Sequence, residues 1–172
     1  DDDRILVGSA TPSYTYGLNI MGGYKGIDLS LIFTGTAGGH ILLGDEVFGA
    51  FDGDNSHPAS VWLDSWTPEN KDAKMPRISY GTESPSSYQN VKSDFWLYNT
   101  SYIRLKNLQI GYTFPKKITK LLGVNDIRMY YSIENVFTIS NMPMGIDPEI
   151  SSSTGADYPL LRTHSIGLNL SF

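Results

Sequence analysis

Toward the end of the chain, His164, Ile166, Leu168, Leu170 and Phe172 alternate with Thr163, Ser165, Gly167, Asn169 and Ser171. Successive side chains of a strand point to opposite sides, so this period of two predicts a strand over residues 162–172 whose faces meet different surroundings. A second alternating run covers residues 126–138, with Ile127, Met129, Tyr131, Ile133 and Phe137 on one face and Asn135 as its polar member. The opposite face carries Arg128, Tyr130, Ser132, Glu134 and Val136, and its two charges require water. Over residues 101–114, Leu108, Ile110, Tyr112 and Phe114 alternate with Asn107, Gln109, Gly111 and Thr113, and the apolar face takes up Arg104 and Lys106 at its upstream end. Two further strands, at residues 14–21 and 27–37, are joined by the glycine-rich hairpin connection Gly22-Gly23-Tyr24-Lys25-Gly26.

The links alternate between short and long. About five residues join the first two strands and Pro115 to Asn125 joins the third and fourth, while residues 38–100 and 139–161, rich in Gly, Ser, Asp, Asn and Pro, read as long loops. An antiparallel meander then gathers the short links at one end and the long loops at the other. That asymmetry is expected of an antiparallel transmembrane β-barrel with short periplasmic turns and long extracellular loops. In this orientation Tyr112, Phe114 and Phe172 belong to the periplasmic aromatic girdle, and Leu108, Ile110, Tyr112, Ile166, Leu168 and Leu170 face lipid. Two placements of Arg104 stay open: the outer rim, where a cation meets lipid head groups, or the inner face, if a β-bulge turns the strand. Five strands cannot close a barrel of about eight or more, so the remaining strands are expected upstream, with Asp1-Asp2-Asp3 inside a loop.

Composition agrees with a β protein having one wet face. Hydrophobic residues make up 40% and charged residues 18%, with 11 Tyr, 7 Phe, 3 Trp and 17 Gly. A mean hydropathy of −0.21, with no run of 18 or more apolar residues, excludes a membrane-spanning helix but leaves a barrel open, because alternating strands average to near neutral. Without cysteine there is neither a disulfide scaffold nor thiol chemistry. A net charge of −5 without a basic cluster argues against nucleic acid as a partner.

Several segments resemble the SusC/RagA-like TonB-dependent outer-membrane transporters of Bacteroidetes. They are ILVGSATPSYTYG (5–17), YKGIDLSLIFTG (24–35), SWTPEN (65–70), SYIRLKNLQIGYTFP (101–115), ENVFT (134–138), DPE (147–149), Tyr158-Pro159 and the terminal IGLNLSF (166–172). The resemblance implies an all-β chain forming the last five strands of a barrel of about 22 strands, whose N-terminal plug lies outside this chain. It further implies import of oligosaccharides or peptides with energy delivered through TonB. A SusD-like surface lipoprotein would serve as lid, and outer-membrane lipid and lipopolysaccharide would surround the multi-pass barrel. By the same resemblance the terminal Phe172 is a signal for the barrel-assembly machinery.

Candidate contacts for ligand or partner are the loop aromatics Trp62, Trp66, Trp96 and Tyr98, joined by Tyr80 and Tyr88; each could equally pack its loop on itself. Asp45, Glu46, Asp52, Asp54 and Asn55 offer closely spaced oxygens without the twelve-residue calcium pattern, so a solvated loop is expected. His40, His57 and His164 lie on separate segments, and no metal or cofactor site is predicted. Neither a nucleophile motif nor a phosphate loop is present, so no catalytic residue is named and no enzyme is expected. Two rival readings remain: a soluble β-sandwich that binds carbohydrate, and a passive porin or adhesin barrel.

Overall fold

The computed structural model describes residues 8–43, 60–78, 93–143, 145–150 and 158–172. The alternating segments become strands β1 (Tyr14–Tyr24) and β2 (Ile27–Ala37). Two short strands follow, β3 (His40–Leu42) and β4 (Leu97–Asn99). The chain continues as β5 (Tyr102–Thr113), helix α1 (Lys116–Leu121), β6 (Asp126–Ser140) and β7 (Thr163–Ser171). Five strands form one antiparallel sheet in the order β1-β2-β5-β6-β7, and β3 and β4 pair separately. The β1–β2 link is tighter than the sequence suggested. Gly22 and Gly23 join the strand, leaving a two-residue turn in which Lys25 (φ 50°) and Gly26 (φ 87°) both adopt positive φ. That geometry matches the right-handed twist of the strands it connects.

Register gives the sheet two unlike faces. Leu29, Ile110, Tyr131 and Ile166 form one cross-strand row, Ile27, Tyr112, Met129 and Leu168 the next, and Leu31, Leu108, Ile133 and His164 a third. On the opposite side run Ser30, Gln109, Ser132 and Ser165, then Asp28, Gly111, Tyr130 and Gly167. Arg128 reaches diagonally over Gly111 to Asp28, with Nε donating at 2.9 Å and Nη2 at 2.5 Å. A Cβ on Gly111 would lie 2.6 Å from both partners, so glycine there makes the room for the ion pair.

Gly35 has a comparable role on the other face. A side chain there would strike the Tyr102 carbonyl and the ring of Tyr16, whose hydroxyl donates to that same carbonyl at 2.6 Å. Gly35→Ala is therefore expected to destabilise the β1–β2–β5 junction by about 1–3 kcal/mol. Denaturant unfolding of the refolded full-length receptor measures this, and an unchanged midpoint would show that Tyr16 simply moves aside.

β5 carries an irregularity that decides the site. Ile32 and Phe33 are consecutive on β2 yet face Asn107 and Leu105, so Lys106 is an extra residue, a β-bulge. On β6 the same level holds Asn135 and Val136 between the partners of Asn107 and Leu105, and Asn135 sits at φ 53°. Asparagine tolerates this left-handed backbone better than most residues. Its side-chain amide donates to the Leu161 carbonyl at 2.9 Å, tying the bulge to the approach of β7.

Above the sheet, Gly38 (φ 85°) breaks β2 from β3, while Thr100 N donates to Gly39 O at 2.9 Å and carries the β2–β5 pairing onward into β3–β4. Parts of the segment expected to be only a loop supply a core of their own. Leu43, Trp62, Met75, Trp96 and Met142 are buried together, with Ile41, Val61, Tyr98, Ile146 and Ile150 packed around them. These residues are scattered without period, and short 3-10 turns at Ser60–Asp64 and Asp94–Trp96 present the two tryptophans to it. The SWTPEN segment is a closed turn in which Trp66 N donates to Met75 O at 2.9 Å and Asn70 Nδ2 to Asp64 Oδ1 at 3.1 Å.

Candidate functional site

An arginine on an apolar face would be costly, and the bulge removes the conflict. Upstream of Lys106 the phase of β5 is inverted, so Arg104 pairs with Thr34 and Thr138 and points to the polar side. The outer-rim placement is thereby replaced by the bulge alternative. Arg104 is only 3% exposed, so its charge must be compensated within the protein. Its guanidinium donates through Nη2 to both oxygens of Asp147, at 2.6 and 2.8 Å, and through Nη1 to Glu149 at 2.6 Å. Nε donates to Thr138 Oγ1 at 2.8 Å, so every arm of the fork is occupied.

The carboxylates arrive together because Asp147-Pro148-Glu149 is a turn, closed by Glu149 N donating to Asp147 Oδ1 at 2.9 Å. The Tyr102 hydroxyl also donates to Glu149, and its ring lies 5.0 Å from the guanidinium carbon of Arg104. The assembly clamps the loop between β6 and β7 onto the polar face of β5, about one turn of loop from the buried Met142.

Two clefts flank the clamp. One, of about 650 Å³, lies between the end of β6, Pro143, residues 145–150 and residues 158–160. The other, of about 490 Å³, is bounded by Pro12, Thr36, His40, Thr100, Tyr102 and the Pro148–Ile150 stretch. His40 Nδ1 is buried in its wall without a hydrogen-bond partner among the described residues. It lies where a side chain on Gly8 would otherwise stand.

Of the four loop aromatics expected as contacts, Trp62 and Trp96 are each 4% exposed and belong to the loop core. Tyr98 is half-buried against that core, and burial pushes its phenol above the ordinary range. Trp66 is 38% exposed and is the one of the four that presents a substantial surface. Tyr80, Tyr88, His57 and the oxygen-bearing residues Asp45, Glu46, Asp52, Asp54 and Asn55 lie outside the described residues. Among the described residues, no three acidic or histidine side chains are grouped to hold a metal ion. Ile110, Tyr112, Ile166, Leu168 and Leu170 share one face with Leu108 and are 40–79% exposed; Phe172 is 85% exposed at the short-link end. In the sequence Asp147-Pro148-Glu149 stands out only as one segment of the resemblance and is not joined to Arg104. The available signal was an arginine on an otherwise apolar face, which demands a carboxylate somewhere.

No family model matches the chain. TonB-dependent receptor P3 of Formosa agariphila is 30% identical to it over 183 aligned residues, covering 99% of this chain and 17% of that receptor. The TonB-dependent receptor SusC of Bacteroides thetaiotaomicron is 37% identical over 98 residues, 55% of this chain and 9% of SusC. The chain is similar along almost its whole length to part of a TonB-dependent receptor, and over just over half of it to SusC. The structure of the RagAB peptide transporter superimposes on 96% of it with a TM-score of 0.76 at 27% identity, using 18% of that chain. The chain thus spans less than a fifth of the length of these TonB-dependent relatives. These relatives are receptors and transporters rather than enzymes. TonB-dependent receptors are outer-membrane β-barrels, which cross by strands; among the described residues no helix is long and apolar enough to cross.

Proposed function

We propose that this chain supplies five neighbouring strands, the last of a barrel of about 22, to a multi-pass outer-membrane transporter that imports oligosaccharides or peptides with TonB-derived energy. The observation that carries the reading is the apolar face, which runs across β2, β5, β6 and β7 and, among the described residues, is left exposed. In water such a face is a liability, whereas in a bilayer it is the required surface. Leu108, Ile110, Tyr112, Ile166, Leu168 and Leu170 would then meet lipid, and the side bearing Asp28–Arg128 and Gln109 would look into a wet or plugged lumen.

The two outer strands support the same reading. Among the described residues β1 and β7 each pair along one edge only, and unpaired backbone groups in hydrocarbon cost several kcal/mol apiece, so in a bilayer further strands would complete them. With short links at the periplasm, the Arg104 clamp and the loop core lie at the extracellular mouth. There the clamp would hold the β6–β7 loop as wall for the two clefts, and Trp66 is available to substrate or to a SusD-like lipoprotein. RagAB is a peptide importer, which makes peptide the first substrate class to test. Phe172, exposed beside an alternating final strand, suits a barrel-assembly signal.

Fractionated cells probed with an antibody against residues 162–172 test this. The expected result is a heat-modifiable outer-membrane band several times longer than 172 residues that co-purifies with a lipoprotein. A water-soluble species would overturn the reading in favour of the β-sandwich.

A further inference from the structure

The short-link end of the sheet has a composition unlike the rest of this acidic chain. Of the eight lysines in the sequence, Lys25, Lys116, Lys117 and Lys120 lie in its two links, where Asp126 already binds Lys116 at 2.8 Å and Asp28 is taken up by Arg128. Lys117 and Lys120 are exposed. Around them stand the exposed aromatics Tyr24, Tyr112 and Phe172, with Phe114 in edge-to-face contact with Tyr112 at 5.1 Å and Lys25 over the Tyr24 ring at 5.2 Å.

Helix α1 sorts these chemistries by direction. Thr119 is fully buried and turns to the protein. At about 100° per residue, Ile118, Leu121 and the capping Leu122 fall within one arc to one side of it. Lys116, Lys117 and Lys120 occupy the other side. Ile118, Leu121 and Leu122 are 42%, 86% and 64% exposed, so a six-residue helix displays three large apolar side chains to its surroundings. A turn needs no such residues for its own stability: its backbone is closed by Leu122 N donating to Thr119 O at 3.1 Å and Val124 N to the same oxygen at 3.1 Å.

We infer that α1 and the Lys25 turn form a membrane-docking lip, with Ile118, Leu121 and Leu122 inserted among acyl chains and Lys117 and Lys120 bound to the phosphates of anionic phospholipid. This inference rests on the proposed membrane setting of the sheet. Two observations choose lipid over a protein occupant. The exposed apolar side chains of α1 follow in sequence directly on Tyr112 and Phe114 at the end of the apolar face of β5, and the lysines complement phosphate in a chain whose net charge is −5. Lysine stems can lie along apolar surface while their ammonium groups reach the head-group layer, and aromatic residues favour the same depth.

Spin labels at Leu121→Cys and Leu168→Cys in the full-length receptor, reconstituted in vesicles with and without phosphatidylglycerol, test the lip by collisional accessibility. The label at position 168 tests the barrel setting, and the label at 121 tests the lip. Oxygen accessibility exceeding that of a water-soluble nickel chelate several-fold at both positions is the expected result. Phosphatidylglycerol should deepen the 121 label, and Lys117→Gln with Lys120→Gln should abolish that increment. A lipid-like 168 label with a nickel-accessible 121 label overturns the lip alone. Shielding of 121 from both reagents points to a covering protein and overturns it too. Nickel access at 168 removes the membrane reading and the lip with it.

Discussion

Arg104→Ala should release the β6–β7 loop from the sheet, lowering the local opening free energy around Asp147–Ile150 by about 3 kcal/mol. Removing one partner of a buried ion cluster costs about 3–5 kcal/mol, because the groups left behind keep their desolvation without their compensation. The lower value applies here, since Asp147 and Glu149 retain 24% and 52% exposure and can be partly rehydrated. Arg104→Lys should recover part of the loss. A single ammonium cannot span Asp147, Glu149 and Thr138 at once, and about 2 kcal/mol would remain missing. Hydrogen exchange of the full-length receptor reads both effects at the amides of the turn and of Tyr102. If protection in Arg104→Ala stays at the level of the native protein, the loop is held by its hydrophobic core and the clamp is incidental.

Exchanging Ile110 for arginine should cost about 1–3 kcal/mol, because Ile110 stands on the lipid side between the girdle at Tyr112 and the bilayer midplane, where the penalty for a cation is greatest. The same exchange one residue earlier, Gln109→Arg, should be tolerated, because Gln109 lies between Ser30 and Ser132 on the polar side. Adjacent residues thus carry opposite expectations. The amount of folded, heat-modifiable receptor in the outer membrane and its unfolding free energy in bilayers distinguish them. Equal tolerance at both positions would mean that the Leu29–Ile110–Tyr131–Ile166 row does not meet hydrocarbon.

Alternation made the sheet legible in the sequence because a two-faced strand writes its surroundings into every second residue. Residues 163–171 of β7 show this, and the polar run Ser165, Gly167 and Asn169 does fall opposite Ile166 and Leu168. What could not be read was any feature set by a partner strand. Lys106 becomes a bulge only through the way Ile32 and Phe33 meet Asn107 and Leu105, and SYIRLKN by itself offers the bulge only as one of two alternatives. For the same reason the side taken by Arg104 stayed open, and so did its bond to a turn 43 residues away. The loop core was invisible for a different cause. Leu43, Trp62, Met75, Trp96 and Met142 are brought together by irregular backbone, which leaves no period to detect. Aromatic type alone then could not separate Trp62 and Trp96, which fill that core, from the exposed Trp66.

The bulge also bears on which changes of length β5 can absorb. Removing Lys106 would leave Leu105 beside Asn107 in plain alternation, with Arg104 still turned toward Asp147. A deletion further along, at Gly111 for example, would invert only the stretch between it and position 106, where the spare residue would take up the slip. Insertions and deletions in this strand therefore have a permitted address, and the sidedness of everything beyond it is insulated from them.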